Sequence, residues 1–155
     1  FCRVAREVAA GFPGLEVEEY IVDDMAARLV QAPHTFDVVL LPNLYGDILS
    51  DEAAATLGGL GLAPSGCFGD GFAYFEPAHG TAPDLTGRGV INPTATLLSA
   101  VMLLEHLDQR SAARRLDAAI AGVYAEGVQL TPDQGGSATT REFAEAVCAR
   151  LDLVD

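Results

Sequence analysis

The sequence contains no lysine at all: its 9 basic residues are all arginine, set against 22 acidic ones, for a formal net charge of −13. Without a lysine ammonium, Schiff-base chemistry and a lysine acid or base are excluded from these 155 residues. The acidic balance also disfavours nucleic acid, because sequence-independent affinity for phosphate backbones comes from clustered Lys and Arg displacing counterions. Long hydrophobic runs are missing too. Val38 to Pro42 and Ala95 to Leu104 fall short of the roughly 20 apolar residues that span a bilayer or are broken by hydroxyls, so no membrane segment is expected. The 3 cysteines, Cys2, Cys67 and Cys148, are odd in number and widely spaced, with no CxxC or zinc-ligand pattern. They read as reduced thiols, fitting a cytoplasmic protein. An initiator Met is absent as well. Phe1-Cys2-Arg3-Val4-Ala5-Arg6 opens inside what reads as a helix, the expectation for a fragment and not for a signal peptide.

Half of the residues are apolar and 20% charged, a composition that folds. Val4, Ala5, Val8, Ala9 and Phe12 have helical spacing and are stopped by Gly11, Pro13 and Gly14. Leu15, Val17 and Ile21 alternate with glutamates as in a strand with one wet face. Asp23 and Asp24 then cap a helix that ends at Pro33. Phe36 to Leu41 is a continuous β-branched and apolar run, which predicts a strand buried on both faces, with a loop from Pro42 to Gly46 after it. Asp47 to Leu57 reads as helix, Gly58 to Gly71 as irregular, Phe72 to Phe75 as a short strand and residues 77–93 as loop. Pro93 introduces a helix from Thr94 to Leu107, followed by helices Ser111 to Glu126 and Ser137 to Leu151. The mixture predicts an α/β architecture.

Two constellations could carry chemistry. Asp47 and Asp51 stand four apart on a predicted helix, so both carboxylates project from one face and can converge on a hard cation, with Asp23 as a possible third oxygen ligand. Such a set suits Mg²⁺ or Mn²⁺; the same spacing also occurs on helix faces that are merely solvated. The second is the loop Glu76-Pro77-Ala78-His79-Gly80-Thr81-Ala82-Pro83-Asp84, in which Asp84 can accept from a ribose diol or simply cap a turn. Neither Gly58-Gly59-Leu60-Gly61 nor Gly69-Asp70-Gly71 completes G-x-G-x-x-G between a strand and a helix, so the Rossmann fingerprint is absent. His34 and His106 lie at the ends of predicted elements and are left without a role.

These strings occur together and in order. Val22-Asp23-Asp24-Met25-Ala26, Asn43 to Asp51, Gly58 to Ser65, Phe75 to Pro93, Leu98 to His106 and Thr131-Pro132-Asp133-Gln134-Gly135-Gly136-Ser137-Ala138 closely resemble the isocitrate and isopropylmalate dehydrogenase family, over almost the whole chain. The resemblance implies oxidation of a 3-substituted malate by hydride transfer to NAD or NADP, then decarboxylation at a bound Mg²⁺ or Mn²⁺. It assigns Asp47 and Asp51 to the metal from one subunit and Asp23 to the metal of the partner subunit in a homodimer. It lays His79, Gly80, Thr81, Ala82 and Pro83 along the nucleotide, with Asp84 at the ribose hydroxyls, Asn92 at the adenine and Glu76 close by. NADP-using relatives carry a cation at the position of Asp84, so the chain is expected to prefer NAD.

The resemblance also implies that roughly the first half of a family member is missing, with the arginines that grip malate carboxylates and the tyrosine and lysine acid/base pair; no catalytic residue is assigned here. The implied fold is the family's layered α/β structure of two interleaved domains, of which only the C-terminal half is present. Residues 1–57 would belong to the smaller, dimer-forming domain and residues 58–155 to the larger nucleotide-binding one. Each part would lack sheet neighbours, so association is expected in place of an isolated monomer. The glycine strings lean toward isocitrate or homoisocitrate over 3-isopropylmalate. The rival expectation is a truncated, noncatalytic interaction or regulatory subunit of the same family.

Overall fold

The computed structural model describes residues 1–151. The chain divides into two compact units, one of residues 1–56 and one from Leu57 onward.

In the first unit, helices α1 (Cys2–Ala9), α2 (Val22–Gln31) and α3 (Asn43–Leu57, whose last residue lies past the division) are joined by extended chain. Met25 and Leu29, one turn apart on α2, bury against Leu49 of α3, with Tyr20, Phe36, Val39 and Leu41 packed around them. The Tyr20 and Phe36 rings meet edge to face at 6.1 Å, and the Arg28 guanidinium lies 4.5 Å from the Tyr20 centroid. The two strands predicted here, Leu15 to Ile21 and Phe36 to Leu41, do not form. A strand exists by pairing its N–H and C=O groups with a neighbour, and no strand lies beside either segment among the described residues. Val38 and Leu40 are accordingly 86% and 66% exposed, where burial on both faces was expected. The loop predicted from Pro42 to Gly46 is also corrected: Gly46 N–H bonds Pro42 C=O at 2.9 Å, closing the first turn of α3.

In the second unit, β1 (Pro64–Phe68) and β2 (Ala73–Pro77) form an antiparallel hairpin with Ser65 opposite Glu76 and Cys67 opposite Tyr74. β1 lies in the stretch expected to be irregular; its proline, serine and glycine hide a strand that exists because β2 pairs with it and α4 (Thr94–His106) packs against both. Phe68 and Phe75 stack edge to face at 5.5 Å, with His106 of α4 within 6 Å of each. Helices α5 (Arg110–Glu126) and α6 (Thr140–Leu151) complete the unit. Their shared core joins Val101 of α4, Ala113, Ile120 and Val123 of α5, and Phe143 and Val147 of α6, at the i, i+3, i+4 and i+7 spacings of buried helix faces. Phe143 is wholly buried, which stabilises the unit by about 1.5–3 kcal/mol.

Helix α6 starts three residues later than predicted, and a capping box explains why. Thr139 donates from its N–H (2.7 Å) and Oγ1 (2.8 Å) to Glu142, while Glu142 N–H donates back to Thr139 Oγ1 (3.2 Å). These bonds hold the Glu142 carboxyl below its ordinary 4.5, the Thr139 backbone N–H first and its hydroxyl second. A folded-state pKa below the unfolded one gives stability that is present above the unfolded value and lost as pH falls through the folded one. Thr139→Ala is therefore expected to lower the unfolding free energy by about 1 kcal/mol at neutral pH. Urea melts at neutral and acid pH check this, since the difference between parent and variant should shrink once Glu142 is protonated.

Candidate functional site

The acidic candidates lie on the helices of the first unit. Asp47 and Asp51 sit one turn apart on α3 and both are exposed. The helix has no basic residue, so nothing on it offsets an i, i+4 pair of like charges that costs a few tenths of a kcal/mol when uncompensated. On α2, Asp24 is paired with Arg28 at 2.9 Å, whereas Asp23 is exposed with no ion pair among the described residues. No group of three acidic, His or Cys side chains gathers in the described residues, so Asp23 does not join Asp47 and Asp51 within one chain. Two hard oxygen donors fit Mg²⁺ or Mn²⁺ and leave most of the coordination sphere to be filled from elsewhere.

The second unit holds an open cleft of about 430 Å³. Its wall brings together His79, Gly80, Ala82, Leu85, Val90, Ile91 and Asn92 from the loop after β2 with Leu60, Gly61 and Asp133 from distant parts of the chain. His79, Gly80, Ala82 and Asn92 among the expected residues thus share one surface; Thr81, Pro83 and Asp84 lie on the exposed stretch of the loop beyond it. Glu76 has an exposed side chain on β2, and its carbonyl accepts from Ser99 Oγ at 2.8 Å. Ala82, with φ of +44°, takes the left-handed conformation that L residues seldom adopt, and it turns the chain into the 3₁₀ turn Pro83–Leu85 that carries Asp84.

His79 Nδ1 lies 2.9 Å from Gly80 C=O. A carbonyl can only accept, so Nδ1 carries the proton, and in the neutral ring Nε2 keeps a lone pair. That Nε2 is buried with no hydrogen-bond partner among the described residues and belongs to a residue of the cleft wall, so a ligand donor would satisfy it.

Asn92 is only 3% exposed and its side chain is committed. Nδ2 donates to Tyr124 Oη (3.1 Å) and Asp133 Oδ2 (3.0 Å), and Oδ1 accepts from Thr94 N–H (3.0 Å). Any contact between Asn92 and a purine edge therefore falls to its backbone.

Sequence reasoning gave no role to Gly61 or Asp133. Gly61 allows a close approach, because a Cβ there would sit a tight 3.0 Å from Asn92 Cβ and 3.4 Å from Asp133 Oδ2. The string from Thr131 to Ala138 signalled kinship, but nothing in its spacing said that its acid would meet Asn92, 41 residues away. Burial by itself raises the Asp133 carboxyl. The adjacent Thr131 hydroxyl first, then hydrogen bonds from Gln134, Asn92 and its own backbone, outweigh that and hold it below the usual carboxylate range. Thr131 Oγ1 is itself buried without a hydrogen bond of normal geometry among the described residues.

The family model described as isocitrate/isopropylmalate dehydrogenase matches residues 1–147. The chain belongs to that family. It is 52% identical over 151 residues to an isocitrate/homoisocitrate dehydrogenase of Thermus thermophilus, covering 97% of this chain and 45% of that protein. It is 48% identical over 152 residues to the catalytic subunit 5 of an NAD isocitrate dehydrogenase of Arabidopsis thaliana, covering 97% and 41%. The crystal structure of an isocitrate dehydrogenase from Methylococcus capsulatus superposes with a TM-score of 0.93 at 40% identity, over 97% of this chain and 45% of that one. The fold is that of the dehydrogenase family, and the chain spans less than half the length of these relatives.

Proposed function

We propose that this chain is the C-terminal half of an oxidative decarboxylase that uses NAD and Mg²⁺ or Mn²⁺ on a 3-substituted malate, with isocitrate or homoisocitrate favoured over 3-isopropylmalate. The observation that carries the reading is the cleft of the second unit, where His79, Gly80, Ala82 and Asn92 share a wall and the buried His79 Nε2 has no partner among the described residues. When bound, NAD would supply the hydride acceptor and a divalent cation would supply Lewis-acid stabilisation of charge developing on the substrate oxygen. The chain's own residues do the holding. Asp47 and Asp51 present paired carboxylates from one helix face, and Asp23 serves the site of a second copy in a homodimer built on residues 1–57. The loop from His79 to Asp84 lies along the adenosine half of the cofactor, with Asp84 at the ribose diol and Glu76 nearby, and residues 58–155 form the nucleotide-binding part.

The test is to supply the complete protein with NAD, Mg²⁺ and a panel of isocitrate, homoisocitrate and 3-isopropylmalate, and to follow reduced cofactor and carbon dioxide together. Both should appear, fastest with isocitrate or homoisocitrate; reduction without carbon dioxide contradicts the reading. Asp47→Asn gives a second prediction. It removes one of the two like charges of the i, i+4 pair on α3, which also carries Glu52, so the helix keeps or gains stability, while Mn²⁺ affinity falls on the order of tenfold or more. An unchanged affinity returns the pair to an ordinary solvated face.

A truncated, noncatalytic interaction or regulatory subunit of the same family is the alternative. A first half encoded immediately upstream of Phe1 decides against it.

A further inference from the structure

The loop that forms most of the cleft wall is suspended between two anchorages. At its start, Ala78 N–H bonds Ala63 C=O at 3.0 Å. Its hydrogen bonds from Ala82 to Arg88 are internal to the loop. At its end, Thr140 N–H donates to Gly89 C=O at 2.8 Å and Thr140 Oγ1 to Ile91 C=O, and Asn92 is gripped by Asp133. Asp133 Oδ2 accepts from Asn92 Nδ2 and from Gln134 Nε2, each at 3.0 Å, and the same Gln134 Nε2 donates to Gly58 C=O at 3.0 Å. Tyr124 Oη joins Asn92 to Thr94 Oγ1, 2.7 Å away. One carboxylate oxygen thus ties together the Gly58–Gly61 segment, the end of the loop and the Pro132–Gln134 turn, and Asp133, Asn92 and Gly61 all line the cleft.

We propose that Asp133 is a positioning residue that, through Asn92, holds the cleft wall in the form that receives the adenosine half of a dinucleotide. This rests on the cofactor reading above and adds to it a residue at the cleft edge that acts through Asn92. Without the acceptor, the buried Asn92 amide loses a charge-assisted bond and must reorient to find another, and the wall at Val90 to Asn92 moves with it.

The experiment measures ADP-ribose binding by calorimetry to the complete protein and to Asp133→Ala, since ADP-ribose carries the adenosine half and needs no turnover. The dissociation constant should rise on the order of tenfold for Asp133→Ala and about threefold for Asp133→Asn, which keeps an acceptor without the charge. KM for NAD should rise with kcat at saturating NAD unchanged, and Mn²⁺ affinity should stay at the parent value. The Asp133→Ala, Asn92→Ala double variant should bind no more weakly than the weaker single variant, the signature of two residues acting as one. A folded Asp133→Ala that binds ADP-ribose like the parent overturns the proposal, as does an unaltered Asp133→Asn if the alanine variant does not fold. If the parent itself binds no ADP-ribose, the cofactor reading fails and the role of Asp133 with it; a loss confined to the variants leaves both standing.

Discussion

Supplied with NAD, Mg²⁺ and any 3-substituted malate, these 155 residues alone should reduce no cofactor. Oxidising a hydroxyl by hydride transfer needs a base for the proton, and a positioned base is worth about 10² to 10⁴ in rate. The chain has no lysine, and on the proposed reading the arginines that grip a malate carboxylate lie outside these residues. Effective concentration adds to the loss, because holding hydroxyl carbon and nicotinamide in register is worth about 10⁵ to 10⁸ M in well-oriented reactions. Asp23 does not gather with Asp47 and Asp51 within one chain, so the proposed metal site would stay short of a carboxylate unless the proposed dimer formed. Cofactor absorbance is the readout. Turnover that survives removal of contaminating host dehydrogenase would mean that a base exists among these residues and that the division of labour proposed above is wrong.

The second large effect concerns Asp84. It sits in the 3₁₀ turn Pro83–Leu85 with its side chain exposed, and the neighbouring Ala82 is held in the left-handed conformation that aims this turn. On the proposed reading, a carboxylate there would accept from both hydroxyls of a ribose diol and would repel a 2′-phosphate. In the partly desolvated bound state this should separate NAD from NADP by on the order of a hundredfold in kcat/KM for the complete protein. Asp84→Arg should narrow or reverse the ratio, mostly through KM for NADP. Equal use of the two cofactors by the parent would remove Asp84 from the ribose.

What was legible in the sequence follows the range of the interactions concerned. Helices α4 and α5 fall within a residue of their predicted bounds because their period and their stops are local. Helix α6 was misplaced only at its start, where Thr139 and Glu142 form a capping box whose T-x-x-E spacing was available to read. Strands are a different matter. The segment Phe36 to Leu41 has the composition of a buried strand but no neighbour to pair with among the described residues, whereas β1, spelled Pro-Ser-Gly-Cys-Phe, is a strand only because β2 and α4 hold it. The cleft divides the same way. Its contiguous part, His79, Gly80 and Ala82, could be read from one string, but Gly61 and Asp133 enter through contacts that no local pattern encodes: the Asn92 amide against the Asp133 carboxylate, and Gln134 against Gly58 across 76 residues.

The most direct measurement of the central claim is amide hydrogen exchange of the complete protein with and without saturating NAD. The account predicts slowed exchange confined, within this chain, to residues 79–92 and 131–134 and the glycines near residue 60, with the hairpin and the helix interiors unchanged. Protection elsewhere in the chain, with the His79 to Asn92 loop exchanging as freely as in the unliganded protein, would contradict it.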